Sequence, residues 1–213
     1  MKRGVLFTLV FFPVSLWSYV LYGPEWNNFP VLYYMNSTGG PNGTSEAVQG
    51  AAQSWSQVSG TTIRLTHAGT TNKRGFELGD GINTISWDDL VAMDVGATQN
   101  TLGLTFLWYG GSTILASDMV FNTNIHSTLV WVTDLQPSPG DGRFPVDVQS
   151  VGLHELGHLL GLNHSADTTA VMYASYTRGR RDLSADDLAA VRFLYPSGQT
   201  NAVPRAPSHL RQK

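Results

Sequence analysis

Cysteine is absent from all 213 residues, which excludes disulfides, thiolate metal sites, cysteine nucleophiles and a lipidated N-terminal cysteine together. Any bound metal must be held by His, Asp or Glu. Charge is sparse as well: 13 basic residues stand against 16 acidic ones, a net charge of -3, with no long run of either sign. No basic footprint for nucleic acid and no polybasic membrane patch results. An apolar run from Val5 to Trp17, interrupted by Thr8, Pro13 and Ser15, is too short for a comfortable transmembrane helix. Preceded by Lys2 and Arg3, it has the charged and hydrophobic regions of an export signal over residues 1–18. Secretion is therefore expected and stable membrane insertion is not. Leu16 departs from the small residue preferred two positions before cleavage after Ser18.

With 42% hydrophobic and 11% aromatic residues, the chain is long enough to bury one sizeable core and short for several. One catalytic-size domain over residues 19–197 is expected, monomeric by default. The polar, Pro-containing tail 198–213 reads as disordered. FPVLYYM (29–35) reads as a strand, and the turn formers NSTGGPNG follow it. From Thr44, a candidate N-cap, to Gly60, Val48, Ala51, Ala52, Trp55 and Val58 keep the i, i+3, i+4 spacing of an amphipathic helix. TTIRLTH (61–67), INTISW (82–87), LGLTFLW (102–108) and SDMVFNT (117–123) are four further candidate strands. TDLQPSPGDGR (133–143) reads as loop, and Pro145 stands where a helix could begin, since its missing N–H is not needed there. Ser184, with Asp186 and Asp187 in the first turn, caps a last helix whose apolar face is Leu188, Val191, Leu194 and Tyr195; Pro196 ends it.

Residues 154–164 read HELGHLLGLNH. Residues four apart on a helix share a face, so His154 and His158 can present both imidazoles to one ion. Gly161 tolerates positive φ, can stop the helix, and brings His164 round as a third ligand. A fourth position is left open, which distinguishes catalytic from structural zinc: water binding there becomes more acidic. Glu155 projects beside the metal, placed to take a proton from water attacking a peptide carbonyl and pass it to the leaving amine. From this composition, H-E-x-x-H arises by chance in roughly three of a thousand such chains. The placed glycine and third histidine lower that to roughly one in a hundred thousand. Solvated surface histidines are thus a poor account of it, and a secreted zinc endopeptidase acting on proteins or peptides is the reading. The alternative is a zinc-containing binding module of the same fold that has lost catalysis, and the intact Glu155 argues against it.

H-E-x-x-H-x-x-G-x-x-H with a downstream methionine in AVMYASY (170–176) resembles the metzincin zinc peptidases, with Met172 as the Met-turn residue beneath the metal. Within them the chain is most similar to the matrixins, the matrix-metalloproteinase-like catalytic domains. YVLYGPEWNNFPVLYYMN (19–36) resembles the start of that domain, HSADTTAVMYASY (164–176) its third ligand through Met-turn, and LSADDLAAVRFLYP (183–196) its last helix. The resemblance implies an α+β fold: a twisted, mostly parallel sheet with an antiparallel edge strand, a helix in the N-terminal part, the zinc-site helix and a C-terminal helix. It implies that Leu102, Gly103 and Leu104 lie on an edge strand pairing with extended substrate. It also implies that Ala174 to Tyr176 wall the pocket for the residue after the scissile bond, with Ser150 bordering it.

Several departures accompany the likeness. About 18 residues precede the domain-like start and there is no cysteine, so the matrixin prodomain and its cysteine switch are not expected. Only His67, His126 and His209 remain for the second, structural zinc that matrixins often carry, so one catalytic zinc is expected. Asp118, Asn122 and Asn124 offer oxygen ligands to calcium, or serve as plain turn formers. Ala174 replaces the proline usual after the Met-turn, and no tyrosine stands two residues after Met172 as in astacin-like and serralysin-like metzincins. Tyr173 and Tyr176 read as structural.

Overall fold

The computed structural model describes residues 18–77, 80–135 and 140–198; most of the segment expected to be an export signal, through residue 17, and the tail beyond 198 lie outside them. In chain order the elements are β1 (Val20–Leu21), β2 (Val31–Met35), α1 (Thr44–Ser56), β3 (Leu65–Thr70), β4 (Thr84–Asp88), β5 (Gly103–Gly110), β6 (Thr113–Asn122), β7 (Leu129–Val132), β8 (Phe144–Asp147), α2 (Val148–Leu159), β9 (Leu162–Asn163) and α3 (Ala185–Leu194). Among the described residues no helix is long and apolar enough to cross a membrane.

β2 alternates as a half-covered strand should: Val31, Tyr33 and Met35 are buried while Leu32 is exposed. It runs parallel to both β3 and β4, a pairing that needs a crossover, and α1 supplies the one between β2 and β3. The main sheet has the order β3-β2-β4-β6-β5, parallel except for β5, which returns antiparallel on β6 through the tight turn at Gly111, φ 62°. The expected α+β architecture is the one found. β5 occupies the sheet edge, so its outer backbone groups are left for another strand.

The core lies between the sheet and helices α1 and α2. Val48, Ala51, Ala52 and Trp55 of α1 are buried, as their spacing predicted. Trp55 Nε1 donates to the Leu153 carbonyl at 2.9 Å, tying α1 to α2. A Cβ on Gly152 would lie 3.5 Å from Phe121 and 3.7 Å from Ala51, so α2 is in van der Waals contact with both sheet and helix.

Local expectations need four corrections. Thr44 is the first residue of α1 rather than its cap: Gly43 at φ 83° precedes it, and the Thr44 hydroxyl bonds the Pro41 carbonyl. α1 ends at Ser56, before Gly60, although Val58 is buried beyond it. In TTIRLTH the strand begins only at Leu65, because Val31 N–H bonds the Arg64 carbonyl and starts the register there. Pro145 does not open a helix but sits within β8, opposite Val130 of β7, and α2 starts three residues later under the Asp147 cap.

Candidate active site

α2 presents His154 and His158 one turn apart, and Gly161 at φ 89° reverses the chain into β9 so that His164 faces them. The candidate ligand atoms of the three lie within 4.8 Å of one another, and their ring centroids are 4.7 to 5.2 Å apart. His154 Nδ1 donates to the Val171 carbonyl and His158 Nδ1 to the Leu162 carbonyl, each at 2.8 Å. Carbonyls can only accept, so each bond fixes a proton on Nδ1 and leaves Nε2 free to ligate. Burial, and then the charge of His154, push the His158 imidazole down to about 3, so it is neutral at physiological pH. Burial and His154 likewise lower His164. Three clustered imidazoles, two of them held by carbonyl bonds at Nδ1, make a donor set that fits zinc.

Glu155 points into the same cleft. Burial raises its carboxyl above the usual carboxylate range, while the charge of His154 and the Thr105 hydroxyl, which donates to Oε2 at 2.7 Å, favour the ionised form. Thr105 lies on β5, the edge strand named from Leu102, Gly103 and Leu104, but its contact with Glu155 was not anticipated. On the same strand, a Cβ at Gly103 would come within 3.0 Å of Glu155 Cγ and Oε1. Glycine there leaves the carboxylate its room.

Met172 is buried, and an added Cβ at Gly157 would meet its Sδ at 2.3 Å. Glycine is what lets the Met-turn approach α2. Asp187, buried in the first turn of α3, holds that turn in place: Oδ2 accepts from Val171 N (2.8 Å) and Oδ1 from Met172 N (3.1 Å), while Oδ2 also accepts Ser184 N in the capping box. The expected cap at Ser184 is present, and through Asp187 it reaches Val171, whose carbonyl orients His154, 16 residues back in the sequence.

The cleft has a volume of about 370 Å³ and is lined by Leu102, Gly103, Leu104, Ser150, Ala174 and Tyr176 as well as the histidines and Glu155. All the residues named from the sequence for this region are thus brought together. Ser150 borders the cleft, but its hydroxyl donates to Asp147, which caps α2. Tyr176 has two roles: it lines the cleft, and its phenol oxygen accepts the Asp147 N–H at 2.9 Å. Arg181 grips the fully buried Asp147 carboxylate through two nitrogens, at 2.7 and 3.0 Å, and so ties the segment after the Met-turn to the start of α2. Tyr22, Asn100, Thr101, Arg178 and Arg180 also line the cleft and carry no motif in the sequence.

Away from the cleft, His67 is stacked on Tyr33 and bonds the Gly69 carbonyl, and His126 contacts the Thr128 hydroxyl. Asp118 spends one oxygen on Thr84 N and the other on Glu77 N. Asn122 and Asn124 bond neighbouring loop backbone and Asp89.

Gly161 gives a direct test of the third-ligand turn. At φ 89° a side chain is strained, and a Cβ would meet the Pro24 carbonyl oxygen at 2.6 Å. Gly161→Ala is expected to lose about 1–3 kcal/mol of stability and to weaken zinc affinity by displacing His164. Urea melts and competition with a zinc-sensitive dye would check both; unchanged zinc affinity would show that the turn does not place this ligand.

The matrixin family profile matches residues 26–196. The chain is 30% identical over 181 residues to metalloendoproteinase 1-MMP of Arabidopsis thaliana, covering 81% of this chain and 44% of that protein. It is 29% identical over 185 residues to karilysin of Tannerella forsythia, covering 84% and 34%. It is 41% identical over 86 residues to an interstitial collagenase of Aquarana catesbeiana, covering 34% and 21%. The chain thus aligns with less than half the length of these curated relatives. The profile covers the sheet, the histidine helix, the Met-turn and α3 alike, and the chain belongs to the matrixin family, as a matrix-metalloproteinase-like catalytic domain.

Proposed function

We propose that this chain is a secreted zinc-dependent endopeptidase that hydrolyses peptide bonds in proteins with Glu155 as general base. The observation that carries the reading is the shared cleft: three imidazoles, two with Nε2 left free, and one buried carboxyl group converge beneath an unpaired sheet edge. His154, His158 and His164 would hold the ion. When bound, zinc supplies Lewis acidity, making water more acidic and offsetting charge on the carbonyl oxygen under attack.

The protein's own groups do the rest. Leu102 to Leu104 offer edge backbone groups to an extended substrate, aligning its scissile bond along the cleft. Glu155, kept in place by Thr105, accepts the proton of the attacking water and delivers it to the departing amine. Its burial makes it a stronger base than an exposed carboxylate, which suits proton transfer from water. Ser150, Ala174 and Tyr176 bound the space for the side chain after the scissile bond. The family and the protein names of its relatives support peptidase activity, and the charged-then-apolar pattern from Lys2 to Trp17 supports export.

Purified protein is expected to cleave an unstructured protein such as casein, to stop when zinc is chelated and to recover when zinc is restored. Cleavage that persists with no bound metal, measured by atomic absorption, would overturn the reading.

A further inference from the structure

Tyr22 enters the cleft from outside the zinc motif. It follows β1, which pairs antiparallel with β9, and its own N–H bonds the Gly161 carbonyl at 2.9 Å. The N-terminal segment is thereby strapped onto the turn that leads to His164. Its far end is held as well: Ser18 N and Tyr19 N both donate to Asp186 Oδ1, at 2.7 and 3.1 Å. The Tyr22 ring lies 5.7 Å from the His158 ring, tilted by 47°, and lines the same cavity as Glu155 and the other two histidines. Yet 47% of the residue is exposed. Among the described residues its hydroxyl has no hydrogen-bond partner. A half-bare aromatic surface, fixed at its backbone beside the candidate metal, is suited to packing against a ligand rather than to supporting the core.

Its side of the cleft follows from α2. Ser150 and Val151 line the cavity near the N-terminal end of this helix, together with Tyr176, whereas His158 and the Gly161 turn are at its C-terminal end. Ser150 and His158 are eight residues apart, about 12 Å along the axis. A peptide lying along β5 with the residue after its scissile bond beside Ser150 and Tyr176 therefore carries the preceding residues towards Tyr22.

We propose that the Tyr22 ring is a specificity-determining wall for the part of the substrate before the scissile bond, selecting aromatic or large aliphatic side chains there. This rests on the peptidase reading above. The flat ring offers dispersion and stacking to such side chains.

The test is cleavage profiling on a peptide library with the zinc-loaded wild type, Tyr22→Phe and Tyr22→Ala. Wild type should favour aromatic or large aliphatic residues before the scissile bond. Tyr22→Phe should keep that profile and stay within about twofold in kcat/KM. Tyr22→Ala should flatten the preference on that side and raise KM about tenfold for the best peptides, with zinc content, kcat and the preference after the scissile bond retained. The proposal is overturned if Tyr22→Ala retains the preference, if Tyr22→Phe alone loses activity, which would make the hydroxyl the working group, or if Tyr22→Ala releases zinc, which would make the ring a support for His158. A wild type that cleaves no peptide with zinc bound would instead overturn the peptidase reading.

Discussion

Glu155→Gln is expected to retain zinc and lose between about a hundred- and ten-thousandfold in kcat. Gln has nearly the same shape, and its side-chain oxygen can still accept the Thr105 hydroxyl proton, so the cleft keeps its geometry. What it loses is basicity. In the proposed mechanism the ionised carboxylate is the working form, and burial raises its pKa above the ordinary carboxylate range. Activity should therefore be full on the alkaline side of that raised value and fall as pH drops through it, an acid limb higher than an exposed glutamate would give. Thr105→Val, which deletes a bond to the charged form, should shift the limb further up. Kinetics on a fluorogenic peptide, with metal content measured in parallel, would check both. Equal turnover in wild type and Glu155→Gln would show that another group takes the proton.

Asp187→Ala should destabilise the fold by roughly 3–5 kcal/mol, because it leaves the buried N–H groups of Val171 and Met172, and the half-buried one of Ser184, without their carboxylate acceptor. The loss extends to the site. Val171 supplies the carbonyl that fixes the His154 tautomer, so a slackened Met-turn should weaken zinc binding as well. Asp187→Asn, which keeps one oxygen, should fall between Ala and wild type. Chemical denaturation with and without zinc measures both effects. A loss under 1 kcal/mol with unaltered zinc affinity would mean that α3 does not hold the Met-turn in place.

The elements legible in the sequence are those whose signal is local. α1 announced itself by apolar spacing, and α3 by Ser184 with Asp187 three residues on. The helix that carries His154 and His158 was visible from the i, i+4 spacing of the ligands themselves. β7 and β8 were not, because they are short, parallel and separated by a Pro- and Gly-containing segment, and because Pro145 favours a helix start as readily as an isolated strand pair. The β3 boundary was misplaced because Thr61 to Arg64 have strand-like composition, whereas the register with β2 begins at Leu65.

HELGHLLGLNH by itself determined the three candidate donors, the proposed base and the turn between the second and third histidines, since all of these follow from helix periodicity and one glycine within eleven residues. The tertiary structure alone decided what surrounds them. Thr105 reaches Glu155 across 50 residues, Asp187 the Met-turn across 15 or 16, and Tyr22 the ring of His158 from the opposite end of the chain. Such contacts are set by sheet order and by the β1–β9 pairing, so their partners bear no fixed spacing from which they could be read.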